Sequence, residues 1–251
     1  MVFRRVESSL TKQELFGASA LVTGATSGIG RAITLGLAAQ GARLLAVGRD
    51  AERAKSTRDE LARFPAAHRV LIGDLTTPAF LTALAEQTLE WGEGRLSILV
   101  LCAGHHEPAT VEQTSAASLD AAFATNLRAP FLLTGALLPA LRAARGQIVL
   151  VNSSVVNHPR AGTAAYAASK AALRMFADCL RVEVSGDGIR VLSVFPGRTA
   201  TPMQQERYLH DGLDYRPERL MQPEDVAEAV LDAVRSSVDV TDLHLRPQHR
   251  E

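Results

Sequence analysis

The chain has 251 residues, a length that fits one α/β domain with a single core. Its 27 basic residues balance its 27 acidic residues, and like charges do not cluster, which argues against a nucleic-acid or anionic-membrane partner. No stretch approaches the roughly 20 apolar residues of a membrane span, and Arg4 and Arg5 precede no apolar signal segment. We expect one cytoplasmic domain over residues 1–251 that acts on a small soluble ligand, with residues 1–16 as a surface lead-in.

The two cysteines, Cys102 and Cys179, do not indicate a disulfide framework. They fall at a predicted strand end and in a predicted helix, where free cysteine behaves as a small buried apolar residue. We expect both to be buried and unpaired.

The first apolar run, residues 18–22, is followed by a glycine-rich turn over residues 23–30 and a helical pattern over 32–39. The order strand, glycine turn, helix is that of a phosphate-binding βα unit, in which helix N–H groups reach an anion. The glycines of the turn are Gly24, Gly28 and Gly30. The first would allow a tight turn, the second a close approach of the backbone to a pyrophosphate, and the third close packing of helix on strand.

The spacing of this turn is Gly-x-x-x-Gly-x-Gly and differs from the general Gly-x-Gly-x-x-Gly fingerprint. Taken alone, the glycines could serve only as turn and packing residues. The assignment therefore depends on the motifs that follow.

A second apolar run over residues 43–47 ends at Gly48, Arg49 and Asp50. Asp50 lies about 20 residues past the glycine turn, where an acidic residue would bind an adenosine ribose. Strand register instead makes Arg49 the first side chain beyond the run, and its planar guanidinium suits a 2′-phosphate. This pattern favours NADP over NAD, with Asp50 as the cap of a helix over 51–63.

A third strand over 70–72 runs into Gly73-Asp74-Leu75, and a helix over 78–90 begins with Pro. Asp74 is either a loop cap or a contact for an adenine amine. A fourth strand over 96–101 runs into Cys102-Ala103-Gly104, where small residues would let a cofactor lie close.

His105, His106 and Glu107 follow at once. Adjacent histidines lack the spacing of a zinc site, so no metal site is predicted. A solvated loop is the favoured interpretation, and a substrate-facing role is the alternative.

Residues 118–141 form a long helical pattern with a predicted interruption near Pro130. Asn126 lies in its middle, although asparagine is unfavourable inside a helix because its side chain competes for backbone hydrogen bonds. Its position calls for a specific role.

A fifth strand over 146–151 leads to Ser153, which would lie at the carboxyl edge of the sheet. The following helix, over 163–183, carries Tyr166 and Lys170 at i and i+4. A phenol and an ammonium would therefore share one helical face and could share one ligand.

A sixth strand over 189–194 ends in Phe195-Pro196-Gly197, and a helix over 223–234 and a last strand over 240–245 complete the chain. The uninterrupted alternation of strands and helices predicts an α/β fold with a doubly wound parallel sheet.

Together these motifs resemble the short-chain dehydrogenase/reductase family over about residues 15–245. The matching residues, in the order and approximate spacing of the family, are Thr23-Gly24-x-x-x-Gly28-Ile29-Gly30, Asp74, Ala103-Gly104, Asn126, Ser153, Tyr166-x-x-x-Lys170 and Pro196-Gly197. The resemblance implies a Rossmann-type sheet of about seven strands with helices on both faces, and hydride transfer between nicotinamide and a carbonyl or alcohol.

By resemblance, Tyr166 is the acid/base and Lys170 lowers its pKa and binds ribose. Ser153, preferred over Ser154 by its distance from Tyr166, holds the substrate oxygen, and Asn126 anchors a water next to the lysine. The predicted cofactor-binding residues are Gly24, Thr26, Ser27, Gly28, Ile29, Gly30, Arg49, Asp74, Leu75, Ala103, Gly104, Tyr166, Lys170, Pro196, Gly197 and Thr201.

These roles agree with the chemistry of a phenol. A free tyrosine has a pKa near 10, so acid/base work near pH 7 requires a shift of roughly 3 units. Two positive charges, Lys170 and the oxidised nicotinamide, favour the phenolate and could supply much of that shift.

The chain departs from the family in two places. The family often has Asn-Asn-Ala-Gly after the fourth strand, where this chain has Leu101-Cys102-Ala103-Gly104, and we expect weaker support of the central strands. The usual Asp-Gly-Gly close is replaced by residues 244–247, which affects the contacts of the homodimer or homotetramer that the resemblance implies.

The leading hypothesis is an NADP-dependent oxidoreductase acting on a small carbonyl or secondary alcohol. The alternative is a catalytically idle NAD(P)-binding regulatory or scaffold protein of the same fold. Residues 105–109, 155–161 and 203–221 are the expected walls of the substrate pocket, in which Arg160 is expected to be a solvated loop charge.

Overall fold

The computed structural model describes residues 15–247. Most of the predicted lead-in, residues 1–16, therefore lies outside the described residues. Of its two described members, Leu15 is buried against the core and Phe16 is exposed.

Seven strands and eight α-helices alternate along the described chain. The strands are β1 Ser19–Thr23, β2 Arg43–Gly48, β3 His68–Ile72, β4 Ile98–Leu101, β5 Gln147–Val151, β6 Arg190–Pro196 and β7 Asp242–Leu245. The α-helices are α1 Gly28–Ala39, α2 Ala51–Leu61, α3 Pro78–Trp91, α4 Ala116–Phe123, α5 Ala129–Ala144, α6 Ala164–Glu183, α7 Pro202–His210 and α8 Pro223–Arg235.

The strands form one parallel sheet in the order β3-β2-β1-β4-β5-β6-β7. This is the doubly wound Rossmann order, in which the chain reverses its direction of travel between β1 and β4. The predicted fold class is confirmed. Ligands of such sheets bind at the carboxyl ends of the strands beside this reversal.

Each face of the sheet is covered by helices because side chains alternate along every strand. In β1, Ala20 and Val22 join a core formed with α1 and α8, whereas Leu21 joins the opposite core formed with α3, α5 and α6. Both cores are aliphatic and buried, so the strand ends that carry the site are rigidly held.

The interruption predicted near Pro130 is a π-helical turn over Ala124–Arg128 that contains Asn126, and Pro130 itself lies in the first turn of α5. Helix α7 was not predicted, because residues 202–210 are mostly polar and have no buried residue that would give a helical pattern.

One cysteine prediction is wrong. Both cysteines are free, but Cys179 is exposed on α6 and Cys102 is only half-buried. The α6 pattern places Cys179 one residue from the buried Leu180, on the outer face of the helix.

The continuous helical segment Ala116–Ala144 bears on the expectation that no stretch is apolar enough to span a membrane. It has 29 residues, and an 18-residue stretch of it has a mean hydropathy of 1.2, so within residues 15–247 it is the helix long and apolar enough to cross a membrane. Its inner face, including Leu133, Leu137 and Leu141, belongs to the aliphatic core. The segment is thus a core helix of this fold.

Thr23 joins the two central strands at their carboxyl ends. Its buried hydroxyl donates to the Val100 carbonyl oxygen at 3.4 Å and accepts from the backbone N–H groups of Cys102 at 3.1 Å and Ala103 at 3.3 Å. One threonine therefore supports the strands where the family often uses asparagine amides.

We predict that Thr23→Val lowers the free energy of unfolding by about 1–3 kcal/mol, because the isosteric change leaves two N–H groups without their acceptor. Urea unfolding at 25 °C measures the loss. Thr57→Val is the matched control, since the buried Thr57 hydroxyl makes only an intrahelical bond to Arg53. Equal losses in the two variants would contradict the bridging role.

Candidate active site

The glycine turn after β1 is too crowded for side chains. A Cβ on Gly30 would lie 2.1 Å from the Gly24 carbonyl oxygen, and one on Gly24, whose φ is +66°, would lie 2.8 Å from the Ala103 backbone. Gly28 also has positive φ, +49°, a conformation that glycine adopts without strain. The turn therefore leaves its backbone open to the groove at the start of α1, as phosphate binding requires.

An open groove of about 520 Å³ runs along the carboxyl ends of the strands, within the size range of small-molecule sites. The predicted cofactor residues that line it are Gly24, Thr26, Ser27, Gly28, Ile29, Gly30, Arg49, Asp74, Leu75, Ala103, Gly104, Tyr166, Lys170 and Thr201. The other two, Pro196 and Gly197, line an adjoining cavity. The crowded turn and the continuous groove fit an extended dinucleotide.

The far end of the groove carries exposed cationic side chains. Arg49 lines it beyond β2, next to Arg53. The Asp50 carboxylate accepts a hydrogen bond from the Arg53 backbone N–H at 2.9 Å and caps α2, as predicted. The carboxylate that the counting rule would assign to a ribose is thus already engaged.

Asp74 lines the same end of the groove and stabilises its own loop. Its Oδ1 accepts from the backbone N–H and the hydroxyl of Thr76, both at 2.8 Å. These hydrogen bonds, aided by the charge of Arg49, lower the pKa of Asp74. The loop-cap role is therefore present, and the adenine contact stays a prediction.

Tyr166 and Lys170 lie side by side on α6, as their spacing predicts. The Lys170 Nζ is 5.9 Å from the centroid of the Tyr166 ring. Lys170 is buried, and Nζ donates to the Val151 carbonyl oxygen at the end of β5 at 2.8 Å. Burial lowers the pKa of Lys170 to about 8.

Asn152 is a buried site residue that the sequence reasoning missed. Its Oδ1 accepts from the Ser153 N–H at 2.8 Å, and its Nδ2 donates to the Lys170 carbonyl oxygen at 3.0 Å. It therefore ties the end of β5 to α6. A polar residue directly after a buried strand was the only available signal.

Both serine candidates line the cavity next to Tyr166. The Ser153 hydroxyl accepts from the Val155 N–H at 3.2 Å, whereas Ser154 begins a short 3-10 turn, Ser154–Val156. Of the two serines, Ser153 is the one that acts to lower the pKa of Tyr166. This geometry favours Ser153 over Ser154.

Burial raises the pKa of Tyr166, and Ser153 acts in the opposite direction. The Tyr166 ring remains partly exposed to the cavity. Burial has the larger effect, so the protein alone holds the phenol protonated at pH 7.

Asn126 is buried in the π-helical turn, a feature frequent at functional sites. Its Oδ1 accepts from the His105 N–H at 2.8 Å, and its Nδ2 donates to the His105 carbonyl oxygen at 2.9 Å. Nδ2 also donates to the Ser169 hydroxyl at 2.8 Å, which donates to the Tyr166 carbonyl oxygen at 2.8 Å. Asn126 thus links the loop after β4 to α6, and its water-anchoring role stays a prediction.

His106 is not the solvated loop residue that was favoured. Its ring meets the Tyr166 ring edge to face, with centroids 4.7 Å apart at 75°. Burial, aided by the charges of Arg207 and His105, lowers the pKa of His106 to about 4. A neutral imidazole therefore lies against the tyrosine at pH 7. Within residues 15–247, no group of three or more His, Cys, Asp or Glu side chains is arranged to hold a metal.

Thr201 lines both the groove and the adjoining cavity that contains Tyr166. It caps α7 by accepting a hydrogen bond from the Gln204 N–H at 3.2 Å. A Cβ on Gly28 would lie 2.9 Å from the Thr201 Cγ2. The start of α7 and the glycine turn therefore touch, and the contact of Thr201 with the nicotinamide end stays a prediction.

The lowered pKa of Lys170 predicts a pH-dependent stability. Between about pH 8 and 10.5 the unfolded chain binds the lysine proton and the folded protein does not, so stability rises with pH. We predict that the unfolding free energy of the cofactor-free wild type, minus that of Lys170→Met, increases by up to about 3 kcal/mol across this window.

Urea unfolding from pH 7 to 10 measures this difference. Lys55→Met, which removes an exposed lysine on α2, controls for loss of a surface charge. A difference between wild type and Lys170→Met that stays constant with pH would contradict the buried, destabilised ammonium.

The chain is similar to several known proteins. A family model described as short chain dehydrogenase matches residues 18–211. An uncharacterized oxidoreductase of Staphylococcus saprophyticus is 32% identical, with 93% of this chain and 99% of the relative covered. The 2,3-dihydro-2,3-dihydroxybenzoate dehydrogenase of Bacillus subtilis is 31% identical, with coverages of 91% and 93%.

A solved structure of a metagenomic short-chain oxidoreductase in complex with NADP is also similar. It is 29% identical, covers 94% of this chain and 99% of its own, and superposes with a TM-score of 0.81. The family model spans well over half of the sequence, and the relatives cover nearly all of it. This chain therefore belongs to the short-chain dehydrogenase/reductase family.

Proposed function

We propose that this oxidoreductase transfers hydride between NADP(H) and a small substrate with a carbonyl or secondary alcohol group. The observation that carries the proposal is the convergence of the Tyr166 and Ser153 side chains on one cavity that adjoins the dinucleotide groove. The buried Lys170 lies directly behind Tyr166 on the same helix.

The bound nicotinamide supplies hydride to a carbonyl carbon in reduction and accepts it in oxidation. In reduction the Tyr166 hydroxyl gives its proton to the carbonyl oxygen, and the Ser153 hydroxyl donates a hydrogen bond to the negative charge that develops there. Ser153 is pre-positioned for this because Asn152 fixes its backbone N–H. In oxidation Tyr166, as phenolate, takes the proton back from the alcohol.

Lys170 stabilises the phenolate form of Tyr166. Burial favours the neutral phenol of Tyr166, so the charged form needs a nearby cation. The Lys170 ammonium, fixed by the Val151 carbonyl oxygen, provides one. Asn126 acts at longer range, since its bonds to His105 and Ser169 hold the loop after β4 against α6.

The relatives support the reaction type. The Bacillus subtilis relative is named as a dehydrogenase of a vicinal diol on a ring, which is a secondary alcohol. The alternative, an idle NAD(P)-binding regulatory or scaffold protein, needs no proton donor in the cavity. Binding of NADP without turnover of any carbonyl in a broad panel would favour that alternative.

The choice of NADP rests on the far end of the groove. Arg49 and Arg53 line it. Asp50, the acidic residue next to Arg49 in the sequence, is occupied as a helix cap. A guanidinium recognises phosphate through paired N–H groups. The metagenomic structure, whose complex contains NADP, is consistent with this preference, and NAD is the runner-up.

Residues 1–251 are proposed to form one cytoplasmic domain that assembles as a homodimer or homotetramer. Helices α5 and α6 support the assembly, because they expose large apolar side chains. These are Phe131 and Leu132 on α5 and Met175 and Val182 on α6. An exposed apolar surface shared by two helices favours burial against a second copy.

Tyr166→Phe should keep NADP(H) affinity and lower the hydride-transfer rate by about 10²- to 10⁴-fold, because only the proton donor is lost. Single-turnover absorbance of NADPH with a ketone panel measures the rate, and fluorescence titration measures cofactor affinity. Tyr215→Phe, which removes the hydroxyl of a tyrosine that lines neither the groove nor the cavity, is the control. Unchanged turnover in Tyr166→Phe would exclude the proposed mechanism.

Arg49→Ala should weaken NADPH binding by about tenfold and leave NADH binding nearly unchanged, because the lost guanidinium contacts only the additional phosphate. Titration of each cofactor measures the two dissociation constants. Arg69→Ala is a matched loss of an exposed arginine on β3. Equal losses for NADPH and NADH in Arg49→Ala would contradict the NADP assignment.

A further inference from the structure

The cavity that contains Tyr166 and Ser153 has a volume of about 140 Å³. Three arginines also line it, although they come from separate parts of the chain. Arg160 lies in the loop before α6, Arg198 in the turn after β6, and Arg207 on α7. The fold therefore brings three guanidinium groups to the cavity in which a substrate would react.

Two of these guanidinium groups are held in place. The Arg207 Nε donates to Asp211 Oδ2 at 2.9 Å, and a second nitrogen donates to the Ala161 carbonyl oxygen at 3.3 Å. Arg198 donates to the Tyr208 hydroxyl at 3.1 Å. Each retains further N–H groups, since a guanidinium has five.

Arg160 has no such support. Among residues 15–247 its guanidinium has neither a hydrogen-bond partner nor an ion-pair partner. Arg160 is exposed, and its partial burial together with the charges of Arg198 and Arg207 lowers its pKa, so the three cations are close enough to repel one another. Arg160 is therefore a solvated loop charge, as expected from the sequence, that also lines the cavity beside two other arginines.

No carboxylate from residues 15–247 lines this cavity. Asp211, the acidic partner of the cluster, is already bound to Arg207 and His210. At the rim Arg246 approaches the His158 ring, with nitrogen atoms 3.3 Å apart, and adds a further cation. The lining is thus positively charged without a matching negative group, an arrangement that attracts an anion.

The positive charge extends toward the reacting groups. Arg207 contributes to the lowered pKa of His106, and the His106 ring packs on Tyr166 with centroids 4.7 Å apart. A single small molecule could therefore contact Tyr166 with one end and the arginines with the other.

Building on the proposed function, we propose that the substrate carries an anionic group, a carboxylate or a phosphate, apart from the carbonyl or alcohol that reacts. Arg160 binds this group directly, with Arg198 and Arg207 completing the site. Two N–H groups of one guanidinium match two oxygens of either anion. Charge-assisted hydrogen bonds of this kind correspond to a preference of about tenfold or more over a neutral analogue.

Calorimetric titration of the NADP-loaded full-length protein tests this without requiring turnover. The probes are benzoate, its neutral isostere benzamide, and phenyl phosphate, at one constant ionic strength. Benzoate should bind about tenfold more tightly than benzamide in the wild type. Tighter binding of phenyl phosphate than of benzoate would identify the anion as a phosphate, and the reverse order would identify a carboxylate.

Three variants test whether the preference for benzoate over benzamide depends on the arginines of the cavity. Arg160→Gln should bring benzoate affinity down to that of benzamide, whereas Arg160→Lys should retain part of the preference because it keeps the charge and loses the planar fork. Arg69→Gln, on the edge strand β3, should behave as wild type. Saturating the protein with NADP keeps the probes out of the dinucleotide groove.

Equal affinity for benzoate and benzamide, no measurable binding of any probe, or a preference that survives in Arg160→Gln would overturn the proposal. Its failure is distinguishable from failure of the proposed function. If the anion preference is absent but neutral ketones are reduced in a Tyr166-dependent way, only this inference fails. If the preference is present but turnover is absent with every carbonyl tried, only the catalytic proposal fails.

Discussion

The site is organised around a buried ammonium. Lys170 is buried at the carboxyl edge of the sheet, where water cannot solvate its charge. This burial lowers its pKa to about 8. The Val151 carbonyl oxygen, 2.8 Å away, is its hydrogen-bond acceptor in the described chain. A charge in this position is costly unless it serves a partner, and the partner that the helix provides is the Tyr166 ring one turn earlier.

The surrounding polar bonds hold that pair in place. Asn152 connects the end of β5 to the backbone of α6 at Lys170, and Asn126 connects the loop after β4 to Ser169, one residue away. Asn126 is tolerated inside a helical segment because its side-chain amide bonds to the backbone N–H and carbonyl oxygen of His105. These two groups of the loop would otherwise lack hydrogen-bond partners. The helical spacing and the hydrogen bonds of the two asparagine amides thus hold Tyr166 and Lys170 in one arrangement.

The sequence predicted what depends on local spacing. Helix and strand geometry give meaning to the offset of four residues between Tyr166 and Lys170, to the glycine turn and to the apolar runs. The order of these features along the chain predicted the fold. Contacts between distant residues left no such pattern. The packing of His106 on Tyr166, the bridge made by Asn152, and the convergence of Arg160 with Arg207 arise only when separate loops meet. Helix α7 has no buried residue and so carried no periodic signal.

The central proposal is that two opposing effects set the pKa of Tyr166: burial raises it, and the charges of Lys170 and of bound NADP⁺ would lower it. The chain has three tyrosines, so the difference between wild type and Tyr166→Phe in a tyrosinate absorbance titration isolates this one. The titration is run with and without saturating NADP⁺. The account predicts a Tyr166 pKa above 10 in the free protein and a clear decrease when NADP⁺ binds. A pKa that does not change on binding would contradict it.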